Sequence, residues 1–402
     1  MTAVTPPRGA PRAPPPQTPL HERLQATARS LEDRFLGRSE VIRCMLISAL
    51  AGEHVVLIGP PGTAKSALAR TFSKLCDAVY FEYLLTRFTE PNELFGPVDI
   101  TAFREGTYRR RTAGMLPEAE IVFLDEVFKS NSAILNSLLT LLNERRYVAG
   151  GVTVKCPLIT AIGASNEVPA DADLAAIFDR FLLRVRADYL DAFHFQDLLQ
   201  RGWAIEGAMA ADEGEQPFLT AEELRTAQRA ITRQTRFSDA FLSAYRSLVL
   251  QIRAEGVGLS DRRVVKLLKL CAASAYLDGR PSPEASDLFL MKHVWNAEDQ
   301  APILDALVTP ILEAYYREHP EARRLGAAAV GLQAIEAELE RVRTVLAGSG
   351  TLSDVQLFSQ LKLLGELKGA LASHADPHAR ELAGRVDLLL DAAFKGGRFG
   401  AL

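Results

Sequence analysis

The sequence predicts an α/β protein in which helices cover a parallel β-sheet and further helical domains follow. Three apolar runs, at 54–58, 121–125 and 158–164, lack polar alternation, as expected of central parallel strands. A strongly amphipathic helical pattern at 130–146 lies between two of them, so strands alternate with crossover helices. Beyond Tyr189 the apolar spacing is that of helices alone, which predicts an α-helical remainder.

Changes in composition divide the chain into four expected parts. Residues 1–19 are rich in proline and are expected to form a disordered tail. Residues 20–205 contain the strand signals and form the expected αβα core. Small, polar and acidic residues at 206–217 indicate a boundary. We therefore expect a helical lid at 206–300 and a C-terminal helical domain at 301–402.

The composition is typical of a soluble protein from a reducing compartment. The chain has 402 residues, of which 48% are hydrophobic, and a formal net charge of −4. This acidic balance argues against nucleic-acid or membrane-surface binding, with Arg109-Arg110-Arg111 as a local exception. Four scattered cysteines form no C-x-x-C pair, which argues against a zinc site or a disulfide framework. No apolar stretch is long enough to span a membrane, so we expect a cytoplasmic protein without membrane insertion.

A glycine-rich loop after the first apolar run carries the first chemical signal. It reads Gly59-Pro60-Pro61-Gly62-Thr63-Ala64-Lys65-Ser66 and continues with Ala67 into a helix. Such a loop turns backbone N–H groups towards a phosphate at the start of a helix. Lys65 would reach the outer phosphates and Ser66 would coordinate Mg²⁺. Because Ala64 replaces the second glycine of the pattern G-x-x-x-x-G-K-[ST], a simple turn between strand and helix is the alternative interpretation.

Polar side chains end the next two apolar runs. Asp125 and Glu126 follow one buried strand, and Asn166 follows the other. The carboxyl ends of parallel strands meet at one edge of a sheet, where ligands bind. Asp125 suits the Mg²⁺ role, Glu126 can polarise an attacking water, and Asn166 can hold that water or the γ-phosphate. The alternative is a solvated cap at the strand end.

Arginines at two further positions are candidates for contact with nucleotide. Arg180 stands in Phe178-Asp179-Arg180-Phe181 and either pairs with a local carboxylate such as Asp179 or acts across a subunit interface as an arginine finger. Arg262 and Arg263 open a helix after Ser260, a plausible N-cap. One of the two would reach back to the nucleotide, or both form a solvated basic first turn.

In their order along the chain, these motifs resemble the MoxR family of AAA+ ATPases. The resemblance rests on the segments Gly59–Ser66, Leu85–Pro97, Phe123–Asn136 and Leu141–Arg145. Within the family, Ser260-Asp261-Arg262-Arg263 and the segment 272–280 look closest to the RavA branch. The similarity covers roughly Leu20 to Trp295.

The resemblance assigns a role to each candidate residue. Lys65 and Ser66 become Walker A, Asp125 and Glu126 Walker B, and Asn166 sensor 1. Arg180 becomes the arginine finger, and Arg262, or else Arg263, sensor 2. The family uses ATP and Mg²⁺ and forms rings, so the resemblance implies a homo-oligomer, with a hexamer expected.

Further segments acquire expected roles from the same resemblance. Thr86–Pro97 corresponds to an insert in the core, and Tyr147–Val154 to a hairpin, both on the pore face of related rings. Phe35–Arg38 resembles the segment that covers adenine. Family members remodel protein clients, often with a von Willebrand A domain protein. RavA proteins carry a β-rich module after the lid, and the last hundred residues show no strand-rich segment, which sets this chain apart from them.

Two other functions fit the same motifs. One is an ATP-dependent DNA motor or helicase loader, because related rings apply similar hairpins to nucleic acid. The acidic balance and the lack of a basic, aromatic groove argue against it. The other is a nucleotide-gated scaffold whose slow hydrolysis only times the binding and release of a partner.

Overall fold

The computed structural model describes residues 19–149, 151–169, 174–190, 199, 202–203, 216–322, 332–347, 354–372 and 377–395. The chain divides into two compact units. The first contains Met1–Asp188 and Gly214–Arg323, and the second contains Tyr189–Glu213 and Arg324–Leu402. The tail expected at 1–19 lies outside the described residues except for Pro19.

A five-stranded parallel sheet forms the centre of the first unit, which confirms the predicted parallel sheet, although the strand at 181–186 was not predicted. Its strands are β1 His54–Ile58, β2 Tyr80–Leu84, β3 Ile121–Asp125, β6 Thr160–Ser165 and β7 Phe181–Arg186, in the order β2-β3-β6-β1-β7. Every residue of β1 and β6 is buried, which explains their uninterrupted apolar character. The register pairs Ile58 with Ser165, so β1 and β6 end together at one edge.

Helices cover both faces of this sheet. Those of the core are α1 Leu20–Arg34, α2 Ser39–Ala51, α3 Lys65–Leu75, α4 Pro91–Phe95, α5 Ile100–Arg104, α6 Ser132–Glu144 and α7 Ala175–Phe178. The predicted amphipathic helix is α6. Asn131 caps it, since its side chain accepts a hydrogen bond from the Ile134 N–H. The preceding residue, Ser130, donates to the Val127 carbonyl at 3.0 Å.

The predicted insert and hairpin contact each other. The hairpin pairs β4 Arg146–Ala149 with β5 Val152–Lys155 in antiparallel register. Phe95, at the end of α4, stacks on Tyr147 of β4 with ring centroids 5.0 Å apart. This contact fixes the two segments as one structural element.

The lid packs against α2 within the first unit. Its helices are α8 Ala221–Gln234, α9 Asp239–Ala254, α10 Asp261–Leu277 and α11 Gln300–Glu318, with a 3-10 helix over Ala285–His293 where an α-helix was predicted. Ion pairs join α10 to the core: Asp278 to Arg43 at 2.7 Å, and Lys266 to Glu53 at 2.7 Å. Ser260 caps α10 as predicted.

One predicted boundary requires correction. The division between lid and C-terminal domain was placed at 300/301, which is the start of α11. Leu304, Val308 and Leu312 of this helix are buried, and α11 belongs to the first unit. A helix with its apolar face covered by the lid cannot belong to a separate domain, so the C-terminal part begins beyond it.

The described part of the second unit is helical, as predicted. It contains α12 Leu332–Ala347, α13 Asp354–Ala372 and α14 Pro377–Lys395. Their shared core consists of aliphatic residues: Ile335, Leu339, Val342, Leu364, Leu367, Leu371, Ala379, Leu382 and Val386. Among the described residues of the whole chain, no helix is long and apolar enough to cross a membrane.

Candidate nucleotide site

The glycine-rich loop joins the end of β1 to the start of α3. A Cβ atom on Gly59 would lie 2.3 Å from the Ala187 carbonyl oxygen, so only glycine allows this approach to the chain after β7. Gly62 has φ 80° and nothing within 4 Å of a Cβ position, which leaves its surroundings open. Ala64 adopts left-handed φ 62° at the N-cap of α3, at a cost of about 1 kcal/mol to a residue with a side chain.

Lys65 lies inside this loop. Its Nζ donates to the Gly59 carbonyl at 2.7 Å and to the Pro60 carbonyl at 2.8 Å, and the residue is buried. Burial lowers the pKa of Lys65, while the charges of Asp125 and Glu126 act in the opposite direction. The ammonium group is therefore held by weak neutral acceptors, which phosphate oxygens can replace with a stronger charge-assisted bond.

The predicted acidic pair lies at the same sheet edge. Asp125 ends β3, and its Oδ1 accepts from the Glu126 N–H at 3.1 Å. Glu126 has φ 51°, a left-handed conformation that turns the chain sharply after the strand. Asn166 Nδ2 donates to Glu126 Oε1 at 2.6 Å, and Lys129 Nζ lies 3.2 Å from Oε2. Burial raises the pKa of Asp125.

The structure thus brings together most of the predicted site. Ser66 stands in the first turn of α3, directly after Lys65. Asp125, Glu126 and Asn166 follow β3 and β6, which are the nearest strands on one side of β1. Three strand ends and one helix N-terminus therefore present their polar groups at one place, as required for binding a triphosphate.

Arg180 lies in the turn between α7 and β7. Its Nη1 is 3.6 Å from Asp179 Oδ2, and 26% of its side chain is exposed. The single chain therefore shows the local ion pair that was one of the two interpretations. A partly exposed pair of this kind contributes about 0–1 kcal/mol, which leaves Arg180 available to another partner.

The structure does not bring Arg262 to the loop of its own chain. Arg262 donates to Asn143 Oδ1 near the end of α6. Arg145, two residues after Asn143, donates to the Gly52 carbonyl at 2.7 Å, and Gly52 lies just before β1. The loop follows the other end of this five-residue strand, roughly 16 Å away.

Arg263 is also unavailable to nucleotide. It is 3% exposed and donates to the Val294 carbonyl and to Asn296 Oδ1, at 2.8 and 2.7 Å. Burial lowers the pKa of Arg263 to about 10.

A cavity of about 430 Å³ lies beside the end of β7, whose following residue Ala187 approaches Gly59 of the loop, and this cavity was not predicted from single motifs. Its lining includes Arg38 and Val41 of the core and Trp295 of the lid. Arg186 also lines it, and the next residue, Ala187, donates from its N–H to the Ile58 carbonyl at 2.8 Å. The segment that resembles an adenine cover therefore lies beside a cavity of suitable size for a base.

Sheet order, loop, acidic pair and helical lid together define an AAA+ P-loop ATPase fold. Residues 22–229 match the family described as "MoxR domain in the MoxR-vWA-beta-propeller ternary systems", and residues 245–308 match an AAA lid domain. The chain belongs to the MoxR family of AAA+ ATPases.

Individual relatives agree with this assignment. The chain is 38% identical over 283 residues to the uncharacterized protein MJ0812 of Methanocaldococcus jannaschii, covering 69% of this chain and 72% of the relative. It is 23% identical over 171 residues to the chaperone MoxR1 of Mycobacterium tuberculosis, covering 42% and 45%. A solved structure of a proposed ATPase from Cytophaga hutchinsonii has a TM-score of 0.58 at 18% identity, covering 73% of this chain and 94% of that one. The last similarity concerns the fold alone.

Proposed function

We propose that the protein hydrolyses MgATP to remodel or assemble protein partners. One observation carries the hydrolytic part: the Glu126 carboxylate, held by Asn166 at 2.6 Å, lies at the sheet edge beside the loop that contains Lys65. Glu126 would polarise the attacking water, and Asn166 would orient that water or the γ-phosphate. The backbone N–H groups from Gly62 to Ala67 and the Lys65 ammonium would bind the phosphates, whereas Pro60 and Pro61 shape the loop and have no N–H to donate.

Ser66 and Asp125 would hold Mg²⁺. A hydroxyl and a carboxylate are hard oxygen ligands, and the two lie at the same sheet edge, at the start of α3 and at the end of β3, which fits a small cation shared with phosphate oxygens. When bound, Mg²⁺ would neutralise negative charge on the phosphates.

The site is proposed to be completed by a second subunit. Arg180 is partly exposed, and within the part of the chain that the structure describes its ion pair is with its neighbour Asp179, so it can project into the site of an adjacent copy. Such sharing requires a ring, and we propose a hexamer. The test is the solution mass of the Glu126→Gln protein with and without MgATP. Nucleotide-dependent assembly to about six subunits supports the proposal, and a monomer that binds ATP contradicts it.

The insert and the hairpin are the proposed surface for a client. Phe88 of the insert is 89% exposed, Ile100 and Phe103 of the following helix α5 are 63% and 59% exposed, and Val148 of the hairpin is 55% exposed. Exposed apolar side chains on one rigid element are typical of a protein-binding surface. The chaperone relative and the description of the matched family support a protein client and a von Willebrand A domain partner.

The RavA branch and a cytoplasmic location stay predictions. A DNA motor is less well supported, because two of the three consecutive arginines are engaged by the insert or by the residues just after it. Arg110 donates to Asn92 and to the Gly96 carbonyl, and Arg111 lies 3.6 Å from Asp99.

A further inference from the structure

A buried arginine in β7 connects two parts of the proposed ATPase. Arg184 is 1% exposed, although it occupies a strand of the sheet. Its guanidinium group donates to the carbonyls of Val294 and Trp295 at 3.2 and 2.8 Å, and to Asn296 Oδ1 at 3.0 Å. Nη1 makes these three bonds, and Nη2 donates to the Phe178 carbonyl at 3.1 Å. These acceptors are all neutral groups.

The acceptors belong to segments with different proposed roles. Phe178 ends α7, two residues before Arg180. The segment 294–296 belongs to the lid, and Trp295 lines the cavity beside the glycine-rich loop. One guanidinium group therefore ties the turn that carries the proposed finger to the wall of the proposed nucleotide cavity.

Aromatic contacts extend this connection to the acidic pair. The Arg184 guanidinium carbon lies 4.3 Å from the centre of the Phe178 ring. The Phe178 ring meets the Phe128 ring edge-on at 5.4 Å, and Phe128 stands two residues after Glu126. The same ring is 6.3 Å from that of Trp295. The Arg180 turn is thus packed between groups on both sides of the candidate site.

We infer that Arg184 is a positioning residue that orients Arg180 for the neighbouring subunit. The inference rests on the proposed shared site. Only a planar fork of donors reaches Phe178 and the lid segment together while stacking on a ring, so lysine at this position keeps the charge but loses the connection. The side chain acts on the finger of its own subunit and hence on catalysis in the next one.

The chain offers a matched control in Arg263. It is 3% exposed and also donates to the Val294 carbonyl and Asn296 Oδ1, and more weakly to the Leu182 carbonyl at 3.5 Å, but among its hydrogen bonds in the described residues none reaches Phe178. Arg184→Lys and Arg263→Lys therefore weaken the same lid segment, and only Arg184→Lys also releases Phe178. Thermal unfolding shows how far each of the two substitutions lowers the melting temperature.

The experiment mixes two inactive full-length proteins. Glu126→Gln subunits donate a finger but cannot hydrolyse ATP, whereas Arg180→Ala subunits lack the finger but keep a complete site. Mixed rings should regain turnover. With Arg184→Lys added to the donor, we expect turnover to fall about 100-fold, since displacement of a catalytic group by about 1 Å has that effect. With Arg263→Lys in the donor, turnover should persist.

Placing Arg184→Lys in the acceptor instead should also preserve turnover, because Arg263 still holds the cavity wall and the acceptor's own finger is already absent. Equal loss in donor and acceptor, or equal loss with Arg263→Lys, would show a purely structural role and overturn the inference. If the mixture of Glu126→Gln and Arg180→Ala proteins is itself inactive, the result contradicts the proposed shared site. Should Arg184→Lys not fold, Phe178→Leu in the donor removes the stacked ring and tests the same connection, and full turnover there would also overturn the inference.

Discussion

Replacing Glu126 by glutamine separates nucleotide binding from hydrolysis. The amide introduced by Glu126→Gln would keep an oxygen acceptor for Asn166 Nδ2, now 2.6 Å from Glu126 Oε1, and would not alter the N–H that bonds Asp125. The variant loses the ion pair with Lys129, whose side chain is 50% exposed. Pairs this exposed contribute about 0–1 kcal/mol, so the free energy of unfolding should change by no more than that.

Turnover should respond very differently. The amide cannot accept a proton from water, and loss of a general base lowers the rate by about 10²–10⁴-fold. That loss corresponds to roughly 3–5 kcal/mol in the activation free energy. ATP affinity should stay unchanged, because the loop and Lys65 are intact.

The assays are titration with a fluorescent ATP analogue, steady-state phosphate release, and urea unfolding. Glu82→Gln is the control: Glu82 lies in the neighbouring strand β2 and pairs with Arg70 at 2.9 Å, so its loss should leave turnover unchanged. Turnover of Glu126→Gln within tenfold of the parent protein, or loss of ATP binding, would refute the assignment.

Three further variants test other parts of the site. Arg180→Ala should bind ATP normally and lose turnover by about 10³-fold or more, measured by the same titration and phosphate-release assays; full turnover would refute the finger. Asp125→Asn should raise the melting temperature of the nucleotide-free protein at pH 7, and remove the stabilisation by MgATP. Burial raises the pKa of the Asp125 carboxyl in the folded protein above its value in the unfolded chain. The free energy of unfolding therefore falls as the pH rises from the pKa of the unfolded state to that of the folded state, and an uncharged amide does not lose this stability. The effect of Asp125→Asn should disappear at pH values below both pKa values, and a lower melting temperature at pH 7 would contradict it. Ala64→Gly should stabilise the fold by up to about 1 kcal/mol in urea unfolding, because glycine adopts φ 62° without strain, and a destabilised variant would contradict that reasoning.

Local sequence signals were sufficient to predict a parallel sheet and to place several candidate residues at one edge of it, but not to predict β7. The strands β1 and β3 are apolar apart from His54 and Asp125 at their ends because both faces are covered, and each of them leads directly into a motif. Asp125, Glu126 and Asn166 could be placed together because parallel strands end at one edge. These relationships depend only on residues close in sequence and on the topology of parallel sheets.

The lid arginines could not be placed in this way. Whether Arg262 faces the loop depends on which side of the core α10 packs, and that is decided by long-range ion pairs such as Lys266 with Glu53. Arg184 was missed because an arginine in an apolar strand ordinarily indicates an exposed position. Its partners in the lid lie 110 or more residues away, and no local pattern reveals them.

The predicted boundary between the lid and the C-terminal domain at 300/301 differs from the structure for a related reason. The sequence shows where a helix begins but not which neighbour covers its apolar face, and α11 is covered by the lid. The 3-10 geometry of Ala285–His293 could not be read from periodicity either, because residues 286–291 are all buried and leave no polar face from which a period could be determined.

The shared site is the central claim, and one mixing experiment tests it most directly. Glu126→Gln and Arg180→Ala proteins are each expected to bind ATP and to hydrolyse almost none. Combined in equal amounts with MgATP, they should regain turnover, since the finger of one subunit completes the intact site of the next. A mixture as inactive as its components, despite assembly into mixed rings, would contradict the claim.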